Sequence, residues 1–343
     1  MSYKGNKVLV TGGASFIGSH LVDALVKKGA IVTVVDDFSS GSKKNLINSM
    51  KNIRLIEGDL RNIKIAQKAT KGQKYVFHLA NAHGGRGYIE THPAEISQNM
   101  LIDNNMLFAA YKNRVERFCF TSSACVYPTN LQSGNKKTQA RYLSEEMADP
   151  FKKGCALADG EYGWAKLMGE MSLKAYHKQY GMKGVSCRLF TVYGPRENES
   201  HAIIAFIARA ILQQDPYVIW GSGKQDRNFT YVADIVEGIM IAMNKIDDCR
   251  AINIGTDEII TIKEAVKIVC KTLGFTPKKY FFDTTKPEGV RARAASIKNQ
   301  KAILGWKPKT QFKEGILKTI KWYTENMDKK MSEKEFENKL FER

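Results

Sequence analysis

Tyr162 and Lys166 stand four residues apart in Tyr162-Gly163-Trp164-Ala165-Lys166. That spacing puts both side chains on one face of a helix, about one turn apart. An ammonium at that distance favours the phenolate, so a tyrosine with a free pKa of about 10 becomes a base near neutral pH. Upstream, Ser122-Ser123-Ala124-Cys125 offers a hydroxyl, Ser123, that could hydrogen-bond the same reacting oxygen, and a thiol, Cys125.

The elements around these residues follow a βα rhythm. Lys7–Val10 is an apolar run that reads as a buried parallel strand. It leads into Thr11-Gly12-Gly13-Ala14-Ser15-Phe16-Ile17-Gly18 and an amphipathic helix from Ser19 to Lys28. Strand, glycine turn and helix together form a cradle in which backbone N–H groups hold a pyrophosphate. Gly12, Gly13, Ser15, Phe16, Ile17 and Gly18 are therefore expected at a dinucleotide. A second strand, Ile31–Val35, ends in Asp36-Asp37. A carboxylate at that place binds the adenosine ribose diol and repels a 2′-phosphate, which selects NAD over NADP. The loop with Ser39, and Asp59-Leu60 after a third strand (Ile53–Glu57), are expected near the adenosine.

A fourth strand, Tyr75–Ala80, carries Leu79 and Ala80 to the cofactor. It exits into Asn81-Ala82-His83-Gly84-Gly85-Arg86-Gly87 at the carboxyl edge of the sheet, where open α/β sheets bind ligands. His78 and His83 read as structural or loop residues rather than metal ligands, and no metal is expected. Asn99, in the next helix, is taken as a cofactor contact. A fifth strand, Arg117–Thr121, delivers Ser123 and Cys125 to the same edge; residues 136–159 read as a surface loop; the Tyr162 helix runs to about Tyr180; and Gly184–Leu189 is a sixth strand. The fold class expected is α/β, a doubly wound Rossmann sheet over residues 1–190. Residues 191–343 form mainly a smaller substrate domain of mixed α/β elements, with some segments returning to the first. The last stretch, Ser332 to Arg343, reads as a charged helix with little apolar stripe.

The bulk numbers limit other classes. The chain has 343 residues, 43% hydrophobic, and no apolar run near the ~20 residues of a membrane span. Its start leaves no room for a signal peptide. The 6 cysteines show no zinc or CxxC spacing, so reduced thiols in a cytoplasm are expected. The net charge of +18 is spread over scattered lysines rather than one block, so no nucleic-acid partner is expected.

Taken in order, TGGASFIG, SSACVYP, YGWAK, RLFTVYGP and INIG resemble the extended short-chain dehydrogenase/reductases that act on nucleotide sugars, and the resemblance covers nearly the whole chain. Ser15 stands where those proteins usually have the middle glycine. Ala124-Cys125 stands where 4,6-dehydratases have Asp-Glu, so the dehydratase proton shuttle is missing. The Ser-Ser-Ala-Cys segment, Gly84-Gly85-Arg86-Gly87 and Pro287–Arg293 are most similar to the GDP-mannose 3,5-epimerases. Ser200-His201 is similar to GDP-L-fucose synthases, and a 3,5-epimerase has Lys at the place of His201.

The resemblance implies an enzyme using NAD and a nucleotide sugar, with a GDP-sugar favoured, and a homodimer. Within it, Tyr162 removes the C4 hydroxyl proton, Lys166 lowers the Tyr162 pKa and binds the nicotinamide ribose, both residues touching the cofactor, and Ser123 orients the oxygen. A transient 4-ketone acidifies C3 and C5, and Cys125 with His201 supplies the base and acid that invert them. Gly84, Gly85 and Arg86 are expected around the sugar; Arg227 with Arg291 or Arg293 would hold the diphosphate. A UDP-sugar 4-epimerase, a GDP-4-keto-sugar epimerase/reductase and a non-catalytic dinucleotide sensor or nucleic-acid-binding relative stay open as alternatives. So do a helix-capping role for His201 and a packing role for Cys125.

Overall fold

The computed structural model describes residues 2–134, 140–153, 155–327 and 332–340. In chain order the first half runs β1 (Lys7–Thr11), α1 (Phe16–Lys27), β2 (Ile31–Asp36), β3 (Ile53–Glu57), α2 (Ile63–Thr70), β4 (Tyr75–His78), α3 (Arg86–Thr91), α4 (Pro93–Ser97), α5 (Asn99–Lys112), β5 (Arg117–Ser123), α6 (Gly160–Tyr180) and β6 (Lys183–Leu189). The second half adds β7 (Val192–Tyr193), α7 (Ala202–Ile211), β8 (Tyr217–Trp220), β9 (Asp226–Arg227), β10 (Thr230–Tyr231), α8 (Val232–Lys245), β11 (Ala251–Ile254), β12 (Ile260–Thr261), α9 (Ile262–Thr272), β13 (Tyr280–Asp283), β14 (Ala292–Arg293), α10 (Phe312–Asn326) and α11 (Glu333–Lys339).

Seven strands pair in the order β11-β6-β5-β4-β1-β2-β3, all parallel. Alternate residues of each strand go to opposite faces. Val8 and Val10 pack with α1 and α8 on one face, while Leu9 packs with α2, α5 and α6 on the other. Both faces are covered by helices, which makes the sheet doubly wound. The order of connection reverses between β1 and β4, and a crevice opens there at the strands' carboxyl ends. The Rossmann expectation is met, and β11 joins the large sheet's edge beside β6.

Two sequence readings change. The segment 136–159, expected as a surface loop, lies partly outside the described residues. Its described part is tied to the body: Leu143 is 1% exposed and bridges to Ala295, and Glu145 accepts from the Asn253 amide and from Asn299 Nδ2. The C-terminal stretch, of which 341–343 lie outside the described residues, is a helix that buries Phe336 and Leu340 against α7, α9 and α10. Two apolar residues four apart suffice to dock a short charged helix, and a search for a longer stripe misses them.

Under the carboxyl edge lies an ion pair, Glu170 of α6 with Arg188 of β6, 2% and 3% exposed. Arg188 Nε and Nη2 reach the two carboxylate oxygens at 2.9 and 2.8 Å, and the Ser122 hydroxyl donates to the same carboxylate. The pair binds the Tyr162 helix to β6, and the Ser122 hydroxyl joins β5, the strand that carries Ser123, to the same carboxylate. Glu170→Ala would leave a buried guanidinium without its counter-charge, and chemical denaturation should show a loss of about 3–5 kcal/mol.

Candidate active site

The glycine turn closes over the end of β1. Gly12 has φ +64°, and a Cβ there would stand 2.9 Å from the Ala80 nitrogen, so both the turn and the approach of β4 need glycine. Ser15 occupies the N-cap position of α1 with φ −84° and ψ 179°, ordinary extended backbone, and the turn accepts it without strain. Asp36 is 5% exposed; its carboxylate accepts the Ala14 and Phe38 amides at 2.8 and 2.9 Å and is held at the cavity wall. Asp37 beside it accepts from the Ser39 amide and hydroxyl.

A cavity of about 510 Å³ runs from this turn, past the ends of β4 and β5, to α7 and the loop before β14. At its centre is Tyr162, 5% exposed. A Cβ at Gly163 would come within 2.3 Å of the Cys125 carbonyl oxygen, so the glycine after the tyrosine lets α6 press against the Ser123–Cys125 segment. Ser123 Oγ accepts the Cys125 amide at 3.1 Å, and its interaction with the Tyr162 hydroxyl favours the phenolate. Cys125 packs beside Tyr162, and its Sγ lies 3.1 Å from Arg293 Nη1. Arg293 Nη2 and Arg86 Nη1 both bond Asp159, at 2.7 and 3.0 Å. Burial opposes ionisation of Asp159, but the two guanidiniums outweigh it and hold the carboxyl below its usual range.

Arg227 completes a cationic wall. Burial first, then repulsion from Arg293 and Arg86, brings its pKa down to about 9. A half-buried guanidinium crowded by two others calls for an anion, and a diphosphate meets that need.

His201 sits at the N-cap position of α7 but makes no capping bond with its side chain, which removes the capping alternative. Its Nδ1 lies 2.8 Å from Asn198 Oδ1, an acceptor, so Nδ1 carries the hydrogen and Nε2 keeps its lone pair. The Gly85 amide donates to Ser200 Oγ at 3.3 Å, tying the glycine loop after β4 to this segment. Burial lowers the His201 pKa to about 4. The folded value lies below the unfolded ~6.5, so between those pH values only the unfolded chain takes the proton, and stability falls as pH falls through that window. His201→Gln should flatten the dependence between pH 7 and 5 in urea titrations; His20, lowered to about 4 by burial, keeps part of the slope.

A model of the NAD dependent epimerase/dehydratase family matches residues 8–255. The chain belongs to that family. It is 32% identical over 329 residues to a GDP-mannose 3,5-epimerase of Arabidopsis thaliana, covering 94% of this chain and 83% of the relative. Among solved structures, a UDP-glucose 4-epimerase of Thermotoga maritima with UDP-glucose superposes with a TM-score of 0.81 at 29% identity, covering 94% of this chain and all of that one. A Thermus thermophilus UDP-glucose 4-epimerase in complex with NAD gives a TM-score of 0.80 at 25% identity, covering 94% and 100%. The protein is an enzyme of this family, and its cofactor is NAD. The glycine cradle, the acidic end of β2 and the crevice between β1 and β4 fit that cofactor.

The expected contacts divide. Gly12, Ser15, Phe16, Ile17 and Gly18 line the cavity from the first turn, and Asp36, Asp37, Asp59 and Leu60 from the adenosine side. Leu79, Ala80, Gly84, Gly85 and Arg86 line it from the β4 exit. Ser123, Cys125, Tyr162, His201, Arg227 and Arg293 converge on the other end.

The remaining expected contacts are not among the residues that line the cavity. Gly13 backs onto Val34, and Ser39 holds Asp37. Asn99 is fully buried and spends its amide on Ala82, accepting the Ala82 N–H at 2.6 Å and donating to the Ala82 carbonyl at 2.9 Å; it shapes the loop after β4. Arg291, which precedes β14, pairs with Asp226 at 3.4 Å and lays its stem against Gly134, whereas Arg293 reaches Cys125 and Asp159. That decides the choice between Arg291 and Arg293.

Lys166 lies under the wall, 1% exposed, its Nζ 5.8 Å from the Tyr162 ring centroid. The expected lowering of the Tyr162 pKa is not found. Burial pushes it up, Cys125 and Asp103 add to that, and the Ser123 hydrogen bond only partly opposes them.

Two wall residues were missed. Asp159, which precedes the Tyr162 helix, joins Arg86 to Arg293. His83, read as a loop residue, has its ring 4.8 Å from Tyr162 and 5.5 Å from His201, between centroids. Its place in the glycine loop at the sheet's carboxyl edge was the available signal.

Proposed function

We propose that this enzyme epimerises a GDP-hexose of the GDP-mannose type at C3 and C5 through a transient 4-ketone. In this reading residues 1–190 hold NAD and 191–343 mainly hold the sugar nucleotide. The observation that carries it is the convergence of Cys125 and His201 on the cavity around Tyr162: one thiol packed on the tyrosine, one neutral imidazole a ring away. A 4-epimerase needs neither; inversion next to a ketone needs both a base and an acid. The similarity to the Arabidopsis GDP-mannose 3,5-epimerase supports the substrate.

NAD, when bound, accepts the C4 hydride and returns it. Tyr162 takes the C4 hydroxyl proton as its phenolate, the minor form in the ligand-free protein, with Ser123 holding the oxygen. Cys125, whose sulfur lies beside the Arg293 guanidinium, removes the proton from the carbon next to the ketone. His201 handles the proton on the other face. Arg227 and Arg293 clamp the diphosphate. At the nucleotide end, Arg209 Nε and Gln225 Oε1 are buried without partners among the described residues and line the cavity with Trp220. A donor and an acceptor match a base edge that presents both, as guanine does.

The test is GDP-mannose with NAD in deuterated water, followed by NMR of the sugar ring. Deuterium at C3 or C5 together with new isomers supports the proposal; no exchange overturns it for this substrate. The superposition on a UDP-glucose 4-epimerase favours a second reading, 4-epimerisation of a UDP-sugar. That reading predicts inversion of a UDP-sugar with no ring deuterium.

We also propose a homodimer. Met100, Leu101, Phe108 and Tyr111 of α5 and Trp164 and Met168 of α6 are each 36–49% exposed, an apolar face on two packed helices. Phe108→Glu with Trp164→Glu should give a monomer by sedimentation; an unchanged mass would place any interface elsewhere.

A further inference from the structure

Behind the cavity wall a line of buried polar side chains runs from the end of β1 to α6. Thr11, His78 and Asp103 are each at most 1% exposed. The Thr11 hydroxyl oxygen accepts the Leu79 and Ala80 amides, both at 3.0 Å. Those two bonds use both lone pairs, so its hydrogen goes to His78 Nδ1, 2.7 Å away. His78 is then the Nε2–H tautomer and donates to Asp103 Oδ1 at 2.9 Å.

The line ends on a carboxylate whose other oxygen, Oδ2, has no hydrogen-bond partner among the described residues. That oxygen rests against α6: a Cβ at Gly169, three residues past Lys166, would stand 3.0 Å from it and would also meet the Phe120 ring. Lys166 Nζ stands 4.9 Å over the centroid of that same ring. Carboxylate, aromatic ring and ammonium share one buried compartment.

We propose that Asp103, oriented by Thr11 and His78, is the buried counter-charge that keeps Lys166 an ammonium, and is thereby a positioning residue for the Tyr162–Lys166 pair. The inference rests on reading that pair as the proton-transfer centre. A lysine this buried tends to lose its proton. Burial does lower the Lys166 pKa, and Asp103 is the group that opposes the loss. Charged and titratable neighbours are few. His78 faces the compartment from β4, Asp103 from α5, and Tyr162 from α6, with Cys125 on the far side of Tyr162. Glu170, also on α6, is closed off by Arg188 and Ser122. A carboxylate in buried, low-dielectric surroundings acts beyond hydrogen-bond range, so one charge suffices.

Asp103→Asn keeps the shape and the acceptor for His78 while removing the charge. The full chain, without ligand, is labelled with ¹⁵N at lysine side chains. A buried ammonium gives a slowly exchanging Nζ signal, identified by its absence in Lys166→Met. Its titration midpoint should fall by about one pH unit or more in Asp103→Asn. On GDP-mannose, kcat should fall at least about tenfold at mildly alkaline pH with KM little changed, and the loss should shrink as the pH is lowered and Lys166 is reprotonated. Equal midpoints in the two proteins overturn the proposal, whatever the rates do. Should Asp103→Asn not fold, by circular dichroism, Asp103→Ser carries the same comparison. The titration needs no substrate, so a wrong substrate assignment and a wrong role for Asp103 give different results.

Discussion

Tyr162→Phe should lower turnover about a thousandfold, within the range general acid–base catalysis supplies, while NAD stays bound. The ring packs against Ala82, Tyr88 and Ile96 and sits beside His83, and Phe preserves all of that. Only the hydroxyl that meets Ser123 is lost. The effect should therefore appear in kcat and not in the melting temperature or in retention of NAD on gel filtration. Because burial holds the ligand-free Tyr162 as a phenol through neutral pH, tyrosinate absorbance should not appear near pH 8 in the free protein. A variant that turns over at close to the native rate would remove Tyr162 from the mechanism.

The second large effect is a separation of two steps. Cys125→Ala should reduce deuterium entry at the ring carbon by about 10²–10³-fold while leaving oxidation at C4 measurable as reduced nicotinamide absorbance near 340 nm. The cavity should survive the change, since Arg293 keeps Asp159 at 2.7 Å and Gln132 at 2.7 Å when the sulfur is gone. Loss of both steps would mean that Cys125 shapes the Tyr162 pocket rather than moving a ring proton. Unchanged exchange would assign the base elsewhere, and the nearest imidazoles are His83 and His201.

What could be read in advance was whatever rests on local backbone geometry. The β1 turn, the acidic end of β2 and the Tyr162–Lys166 spacing are set by residues close in sequence, and each was legible. Asp159 was not, because its partners Arg86 and Arg293 are far from it along the chain. Arg291 and Arg293 differ by two positions, yet only the folded contacts show that Arg293 reaches Cys125 while Arg291 pairs with Asp226. Asn99 was misread because a buried amide that satisfies a loop looks, in sequence, like one that meets a ligand.

By itself the sequence determined the doubly wound sheet, the NAD cradle and the tyrosine–lysine pair, because glycine turns and helical periodicity act over a few residues. Tertiary structure alone decided which charges meet. It set Arg86 and Arg293 on Asp159, decided for His201 between a helix cap and a wall residue, and placed Asp103 behind Lys166. It also reversed the expected shift at Tyr162, because burial of a phenol is a property of everything packed around it and not of its neighbours in the chain.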